Sequence, residues 1–380
     1  MNVGDTGALA PTTIVRIDVY EYPLSYRHGR YTMSGDRVIT TVPATVIKVT
    51  TADGVTGYGE SCPLGPAYLP GFGAGVQAVL GELGPRLIGT DAANLGELNA
   101  VMDRNLAGHG YAKSAVDIAC WDVLGKVAEL PVGALLGGIR QRRFPLYVAV
   151  PLESHEQMAS YVTARRAEGI HYFQLKLGGR PADDAERVAA VVDATEDGDV
   201  IVADANCGWR LPDAVMAARL LEPMPRVYLE QPCATLEECL AVRRLTTLPY
   251  VLDEVITDVQ SLIRAYQANG LDAVNCKISR IGGLTKAKQL RDLAVSLGLR
   301  LTIEDTWGGD LTTAAVSQLA ASTDPAALFM VSYMNDWTDG HLGGYQPRSV
   351  DGVGYVSDAP GLGLEIDESL LGHPTMSFAA

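Results

Sequence analysis

The sequence predicts an α/β protein: a closed parallel (β/α) barrel preceded by a smaller α+β segment. Three observations carry that prediction. From about residue 145, short apolar runs alternate with helical stretches, "YFQLKLG", "DVIVADAN", "VYLEQP", "YVLDE", "AVNCKIS" and "RLTIED", which is the βαβα rhythm of a parallel sheet. These runs end on Lys176, Asp204, Glu230, Asp253, Lys277 and Glu304, at intervals of 28, 26, 23, 24 and 27 residues by subtraction. Units of that length closed into a barrel bring all of these ends to one rim, where the active sites of such barrels lie. An open doubly wound sheet shares the rhythm, but no G-x-G-x-x-G follows the first strand to form its phosphate loop.

The elements follow in order. "MNVGDTGALAPTT" has neither a basic start nor an apolar core, so it is expected to be a short disordered leader and not a signal peptide. Residues 13–60 read largely as strands: "TIVRIDVYEY" and "PATVIKVTTADGVTGYGE" show β-branched alternation, with Asp53-Gly54 as a hairpin turn. Between them "PLSYRHGRYTMSGDR" (23–37) is polar and aromatic and reads as a mobile loop. Residues 73–140 read as helices, "AKSAVDIACWDVLGKVAEL" most clearly by its period, and "LLGG" (135–138) closes the segment.

Composition narrows the function. The chain has 380 residues and a formal net charge of −15, which excludes nucleic acid and anionic membrane surfaces as partners, since both need clustered Lys and Arg. None of the six cysteines forms a C-x-x-C pair, so zinc-ribbon and thioredoxin readings fail, and buried free thiols in a reducing cytoplasm are expected. No apolar run reaches transmembrane length.

Asp204, Glu230 and Asp253 end three consecutive strands. Three carboxylates in one barrel mouth repel unless a cation sits between them, and an all-oxygen set selects a hard ion, Mg²⁺ before Mn²⁺ or Ca²⁺. Lys176 lies one strand before this set and Lys277 one strand after it. A lysine beside a divalent ion in a dry pocket has its pKa lowered and can act as a base. Two of them on opposite faces can take a proton from one side of a carbon and return it to the other. The expected reaction is loss of an α-proton from a metal-held carboxylate through an enediolate. Asn206 and Glu254, each just past a ligand, are expected to support the ligands. Glu304 and Asp305 are either further supports or plain surface acids, and Cys207 and Trp209 read as packing. A non-catalytic metal-binding protein is the alternative of another class, but it needs no lysine on both flanks.

At these residues the chain resembles the enolase superfamily, muconate-lactonizing-enzyme subgroup, through "LKLGG" (175–179), "DANCGW" (204–209), "LEQP" (229–232), "LDE" (252–254) and "KISRIGGLTKA" (277–287). The resemblance implies a modified (β/α)₇β barrel at 141–342 and an α+β capping domain at 1–140, completed by about 343–380. It also implies one Mg²⁺ per subunit on Asp204, Glu230 and Asp253, acid/base work by Lys176 and Lys277, and a homo-oligomer. The chain departs from the family at Gln174, where members often carry a first lysine of Lys-x-Lys. Gln174 can donate to a substrate carboxylate but brings no charge to Lys176. There is no histidine between His171 and His341, which removes the mandelate-racemase variant of the site.

"GESCPLGPAYLPGFGAG" (59–75), "GHGYAKSAVDIACWD" (108–122), "LEQPCATLEEC" (229–239) and "EDTWGGD" (304–310) resemble members acting on proline derivatives. Two activities occur there, dehydration of cis-3-hydroxy-L-proline and epimerisation at C2 of proline or hydroxyproline betaines. Similarity in the capping segment and around "LTKAKQLRD" favours the dehydratase. A cycloisomerase or dipeptide epimerase would use the same lysines, although "EDTWGGD" matches the Asp-x-Asp of the latter poorly. Tyr68, Trp307 and Tyr333 are candidate substrate contacts, either as an aromatic box for a cation or as pocket lining. The loop at 23–37 and the Gly65–Gly71 region are expected to close over the substrate.

Overall fold

The computed structural model describes residues 9–35 and 37–380. Residues 1–8 of the expected leader, and Asp36 of the 23–37 segment, lie outside the described residues. Thr13 already bridges to Asp91.

The first half comprises β1 (Ile14–Tyr26), β2 (Tyr31–Met33), β3 (Arg37–Ile39), β4 (Thr41–Thr51) and β5 (Thr56–Ser61), then α1 (Gly73–Leu87), α2 (Leu95–Asn105), α3 (Gly110–Val127) and α4 (Val132–Leu135). β1 and β4 pair antiparallel from Ile14↔Thr51 to Ser25↔Thr41. The Asp53-Gly54 turn then returns the chain into β5, with Gly54 at φ +87° as a tight hairpin turn requires. α3 lies directly on β5: a Cβ at Gly59 would stand 2.0 Å from the Ala115 carbonyl oxygen. This helix, read from its period as one-faced, is buried without a break from Tyr111 to Val123. The sheet covers one side of it and the segment 278–296 the other.

Residues 23–37 are not a plain loop. β1 runs on to Tyr26, and β2 and β3 form a small hairpin with Tyr31 opposite Ile39. The aromatic residues that suggested a loop instead tie the segment down, because the rings of Tyr26 and Tyr31 pack 5.9 and 5.4 Å from that of Trp307.

The second half opens with β6 (Arg143–Pro145) and then alternates β7 (Tyr147–Val150), α5 (His155–Arg166), β8 (Tyr172–Lys176), α6 (Pro181–Asp193), β9 (Val200–Asp204), α7 (Leu211–Leu221) and β10 (Val227–Glu230). It continues through α8 (Leu236–Arg243), β11 (Tyr250–Leu252), α9 (Val259–Gln267), β12 (Ala273–Lys277), the single turn α10 (Ile278–Ile281), α11 (Leu284–Ser296), β13 (Arg300–Glu304), α12 (Asp310–Ala321) and β14 (Leu328–Val331). Helix starts are marked locally, by capping boxes at Ser154 and Asp258 and by proline in the first turn of α6 and α7. Strands β7 to β14 neighbour one another in chain order. A parallel bridge between Leu146 and Val331 brings the two ends together, giving a near-closed (β/α)₇β barrel.

After β14 the chain returns to the first half. β15 (Thr338–Asp339) and β17 (Met376–Ala379) both pair with β1. β16 (Val353–Tyr355) pairs with β6. Among the described residues no helix is long and apolar enough to cross a membrane.

Candidate active site

Strand register assembles the site. Lys176, Asp204 and Glu230 are successive partners across β8, β9 and β10. Lys277 and Glu304 are partners across β12 and β13. Asp253 lies two residues past Val251, the partner of Glu230, so alternation puts its side chain on the same face as that of Val251. Beyond the carboxylates the backbone turns sharply. Asn206, Cys207 and Gln231 hold φ of +45°, +64° and +33°, left-handed geometry that non-glycine residues adopt at a cost and that clusters at functional sites.

The three carboxylates are fully buried, and each is held by nitrogen. Lys176 Nζ donates to Asp204 Oδ2 at 2.5 Å, and Lys277 Nζ to Asp253 Oδ2 at 2.6 Å. Arg280 Nη1 donates to Asp253 Oδ1 at 2.6 Å. Glu230 Oε1 accepts from Gln174 Nε2 at 3.0 Å and Asn275 Nδ2 at 2.7 Å. Gln174 Oε1 in turn accepts from Lys176 at 2.8 Å. Burial and the charges of Asp204 and Asp253 push the Glu230 carboxyl well up. Burial also opposes ionisation of Asp253, but Arg280 and Lys277 outweigh it and leave that group lowered.

The acids are partnered differently from the arrangement a bound ion would impose. The carboxylates do not stand as a ready cluster: among the described residues, no three His, Cys, Asp or Glu side chains are arranged to hold a metal as placed. They bond to the two lysines, the arginine and the two amides instead. Burial works to lower the lysine pKa values, but while the amines sit on these acids Asp204 beside Lys176 and Asp253 beside Lys277 raise both.

The donor chemistry still fits a hard divalent ion. The set is all oxygen, it is buried, and Asn206 Oδ1 and Glu254 Oε2 beside it have no hydrogen-bond partner. A cation held by Asp204, Glu230 and Asp253 would take the place of the amines now bonded to Asp204 and Asp253.

The predicted supports take up distinct positions. Glu254 accepts from Tyr68 OH at 2.6 Å and from Asn206 Nδ2 at 3.2 Å, which ties the 62–72 loop to the segment after Asp253. Burial and Asp253 push the Glu254 carboxyl up to about 7. Asp305 accepts from the backbone N–H of Ser279 and of Thr306, locking the ends of β12 and β13 together. Glu304 faces the cavity, with Tyr147 OH donating to its Oε2.

Lys176, Lys277, Gln174 and Glu304 line one cavity with Tyr31, Tyr68, Tyr147, Trp307 and Trp337. As closed, it holds about 20 Å³, room for no more than one water. A larger cavity of about 570 Å³ lies beside it, between Arg27, α5 and residues 333–352, and contains none of the carboxylate or lysine residues. Tyr333 belongs to that cavity, with its hydroxyl donating to the Tyr355 carbonyl at 2.6 Å. Tyr333 is therefore not among the residues lining the cavity of the two lysines. Trp337, four residues later, lines the smaller cavity instead, with its ring 6.0 Å from those of Trp307 and Tyr147. Tyr68 reaches the cavity, but Arg37 already stands over its ring at 5.3 Å.

Sequence reasoning missed Asn275, Arg280, Tyr31, Tyr147 and Trp337. Asn275 was within reach, because it precedes Lys277 by two residues on one strand, as Gln174 precedes Lys176. Arg280 lies inside a quoted motif. The aromatics carry no local signal.

Buried acids and amines at the mouth of such a barrel, roofed by a separate sheet, define an enolase-type enzyme. The chain belongs to the mandelate racemase/muconate lactonizing enzyme family of that superfamily. Residues 27–137 match the mandelate racemase/muconate lactonizing enzyme N-terminal domain, and residues 157–370 the enolase C-terminal domain-like family. It is 43% identical over 366 residues to a cis-3-hydroxy-L-proline dehydratase of Roseibium aggregatum, covering 96% of this chain and 100% of that one. A mandelate racemase/muconate lactonizing enzyme structure from Roseovarius nubinhibens ISM superimposes with a TM-score of 0.93 at 35% identity, over 97% of this chain and 98% of that chain. Another from the same organism, in complex with magnesium, has a TM-score of 0.93 at 33% identity, over 96% of this chain and 100% of that chain.

Proposed function

We propose that the chain is a Mg²⁺-dependent dehydratase of cis-3-hydroxy-L-proline or a close pyrrolidine carboxylate. The observation that carries the reading is a pair of buried amines, Lys176 and Lys277, on β8 and β12, four strands apart round one barrel mouth with three buried acids between them. The 43% identical dehydratase supports the substrate class.

Asp204, Glu230 and Asp253 would hold the ion. A Mg²⁺ bound there would supply positive charge beside these acids and offset charge building on the substrate carboxylate. Lys176 takes the C2 proton. Gln174, bonded to Lys176 and Glu230, fixes the direction of that amine. Arg280 keeps Asp253 ionised. Tyr31, Trp307 and Trp337 enclose the ring and exclude water. The β2–β3 hairpin and the 62–72 loop open and close as the lid.

In the same reading the domains divide at about residue 140, with about 343–380 completing the cap. A reducing cytoplasm fits the six free thiols, and a homo-oligomer is expected by size-exclusion chromatography.

The test is incubation in D₂O with Mg²⁺ and cis-3-hydroxy-L-proline. Release of pyrroline-2-carboxylate supports the dehydratase, and no turnover would count against it. Epimerisation of a proline betaine is the second reading, favoured by the aromatic rings around the cavity, which suit a quaternary ammonium. It would show as C2 deuterium with inversion.

A further inference from the structure

We propose that Glu304 is the acid that protonates the departing 3-hydroxyl. This rests on the dehydratase reading and adds the group that ejects the leaving oxygen. Glu304 ends β13, is 1% exposed and lines the same cavity as both lysines. Its two oxygens are not equivalent. Oε2 accepts from Tyr147 OH, whereas Oε1 is buried without a hydrogen-bond partner, 3.7 Å from Lys277 Nζ.

Tyr147 is itself buried and packs edge-on against the Trp337 ring, so the free oxygen is held in place. A buried carboxyl oxygen with nothing bonded to it is a vacancy for a polar group of the ligand. Burial raises the proton affinity of Glu304, with Lys277 pulling the other way, and the net effect is upward. The proposed role requires this carboxyl to carry the proton that it gives.

Stereochemistry places it on the required side. In cis-3-hydroxy-L-proline the carboxylate and the hydroxyl share one ring face, so the C2 hydrogen projects from the other. Lys176 stands on β8, while Lys277 and Glu304 stand on β12 and β13 across the mouth. Lys176 takes the C2 proton, and the electron pair of that bond is held in the enediolate of the substrate carboxylate before it forms C2=C3. The C3–O bond breaks with both electrons on oxygen, which takes the proton of Glu304 and leaves as water. Glu304 is left as a carboxylate beside the Lys277 ammonium, 3.7 Å away, whose charge offsets its own; exchange with solvent returns a proton to Glu304 and takes one from Lys176. The enamine becomes the imine by gaining a proton at C3 and losing one from nitrogen.

The test compares Glu304→Gln with wild type, both loaded with Mg²⁺, on cis-3-hydroxy-L-proline and on the analogue with chlorine in place of the hydroxyl. Chloride leaves without a proton. Water elimination by E304Q is expected to fall by about 10²–10⁴-fold, while either chloride elimination or C2 deuterium uptake into recovered substrate stays within about threefold of wild type. Water elimination left intact, or lost together with both other readouts, would overturn the proposal. A wild type that releases no water from cis-3-hydroxy-L-proline overturns the dehydratase reading, and this role with it.

Discussion

At the scale of single residues, Gln174 is the most informative departure. A lysine there would add a second charge beside Lys176. The amide instead bridges Lys176 and Glu230, so the base is positioned by a neutral group. Both lysines are expected to be essential: Lys176→Ala or Lys277→Ala should lower kcat by about 10²–10⁴-fold, and full activity in either variant would remove that amine from the chemistry. Trp337 and Tyr333 should separate cleanly. Trp337→Ala should raise KM, since its indole lines the cavity. Tyr333→Phe should leave KM unchanged and cost about 1 kcal/mol of stability through the bond to Tyr355. Steady-state kinetics with urea unfolding distinguishes them, and equal KM values for W337A and wild type would reject the assignment. The charged residues were legible in the sequence because each ends a strand. Trp337 was not, because nothing local marks which of two nearby aromatics faces the cavity.

At the scale of elements, the two halves are joined by a helix cap contributed from afar. Glu60 on β5 accepts from the backbone N–H of Gly309 at 3.0 Å and of Thr312 at 2.9 Å, closing the N-terminus of α12. Burial pushes its carboxyl from 4.5 up to about 7, against those hydrogen bonds. A folded-state pKa above the unfolded value means the folded protein binds the proton more tightly. The contribution is therefore fully present below pH 4.5 and lost as pH rises through about 7. Glu60→Gln should remove that slope, so thermal unfolding should show wild type losing ground to the variant between pH 5 and pH 8. A constant difference across that range would refute it. The strand of Glu60 was read from its alternation, but its partner helix 250 residues away was not, since capping from another element leaves no local pattern.

At the scale of the whole molecule, strands β9, β10 and β11 converge on a buried set of acids, where burial and then the charges of Asp204 and Asp253 raise the Glu230 carboxyl. An ion bound there should stabilise the fold by mass action, by about 2.7 kcal/mol at a hundredfold excess over Kd. Mg²⁺ should raise Tm relative to EDTA in wild type, and Asp253→Asn should lose most of that shift. Identical melting with Mg²⁺ and with EDTA would speak against a metal site at these residues. The sequence by itself determined the barrel, its order of strands and the residues at its rim. Periodicity and strand-end chemistry are local, and a βα repeat of nearly constant length carries them round a closed sheet. Tertiary structure alone decided what those rim residues touch. It set Asp204 and Asp253 against lysines, put Trp337 rather than Tyr333 in the smaller cavity, seated Glu304 on Tyr147 and paired Tyr31–Met33 with Arg37–Ile39 in a hairpin. Side-chain direction in a shared cavity depends on packing between elements far apart in the chain, and no window of neighbouring residues encodes it.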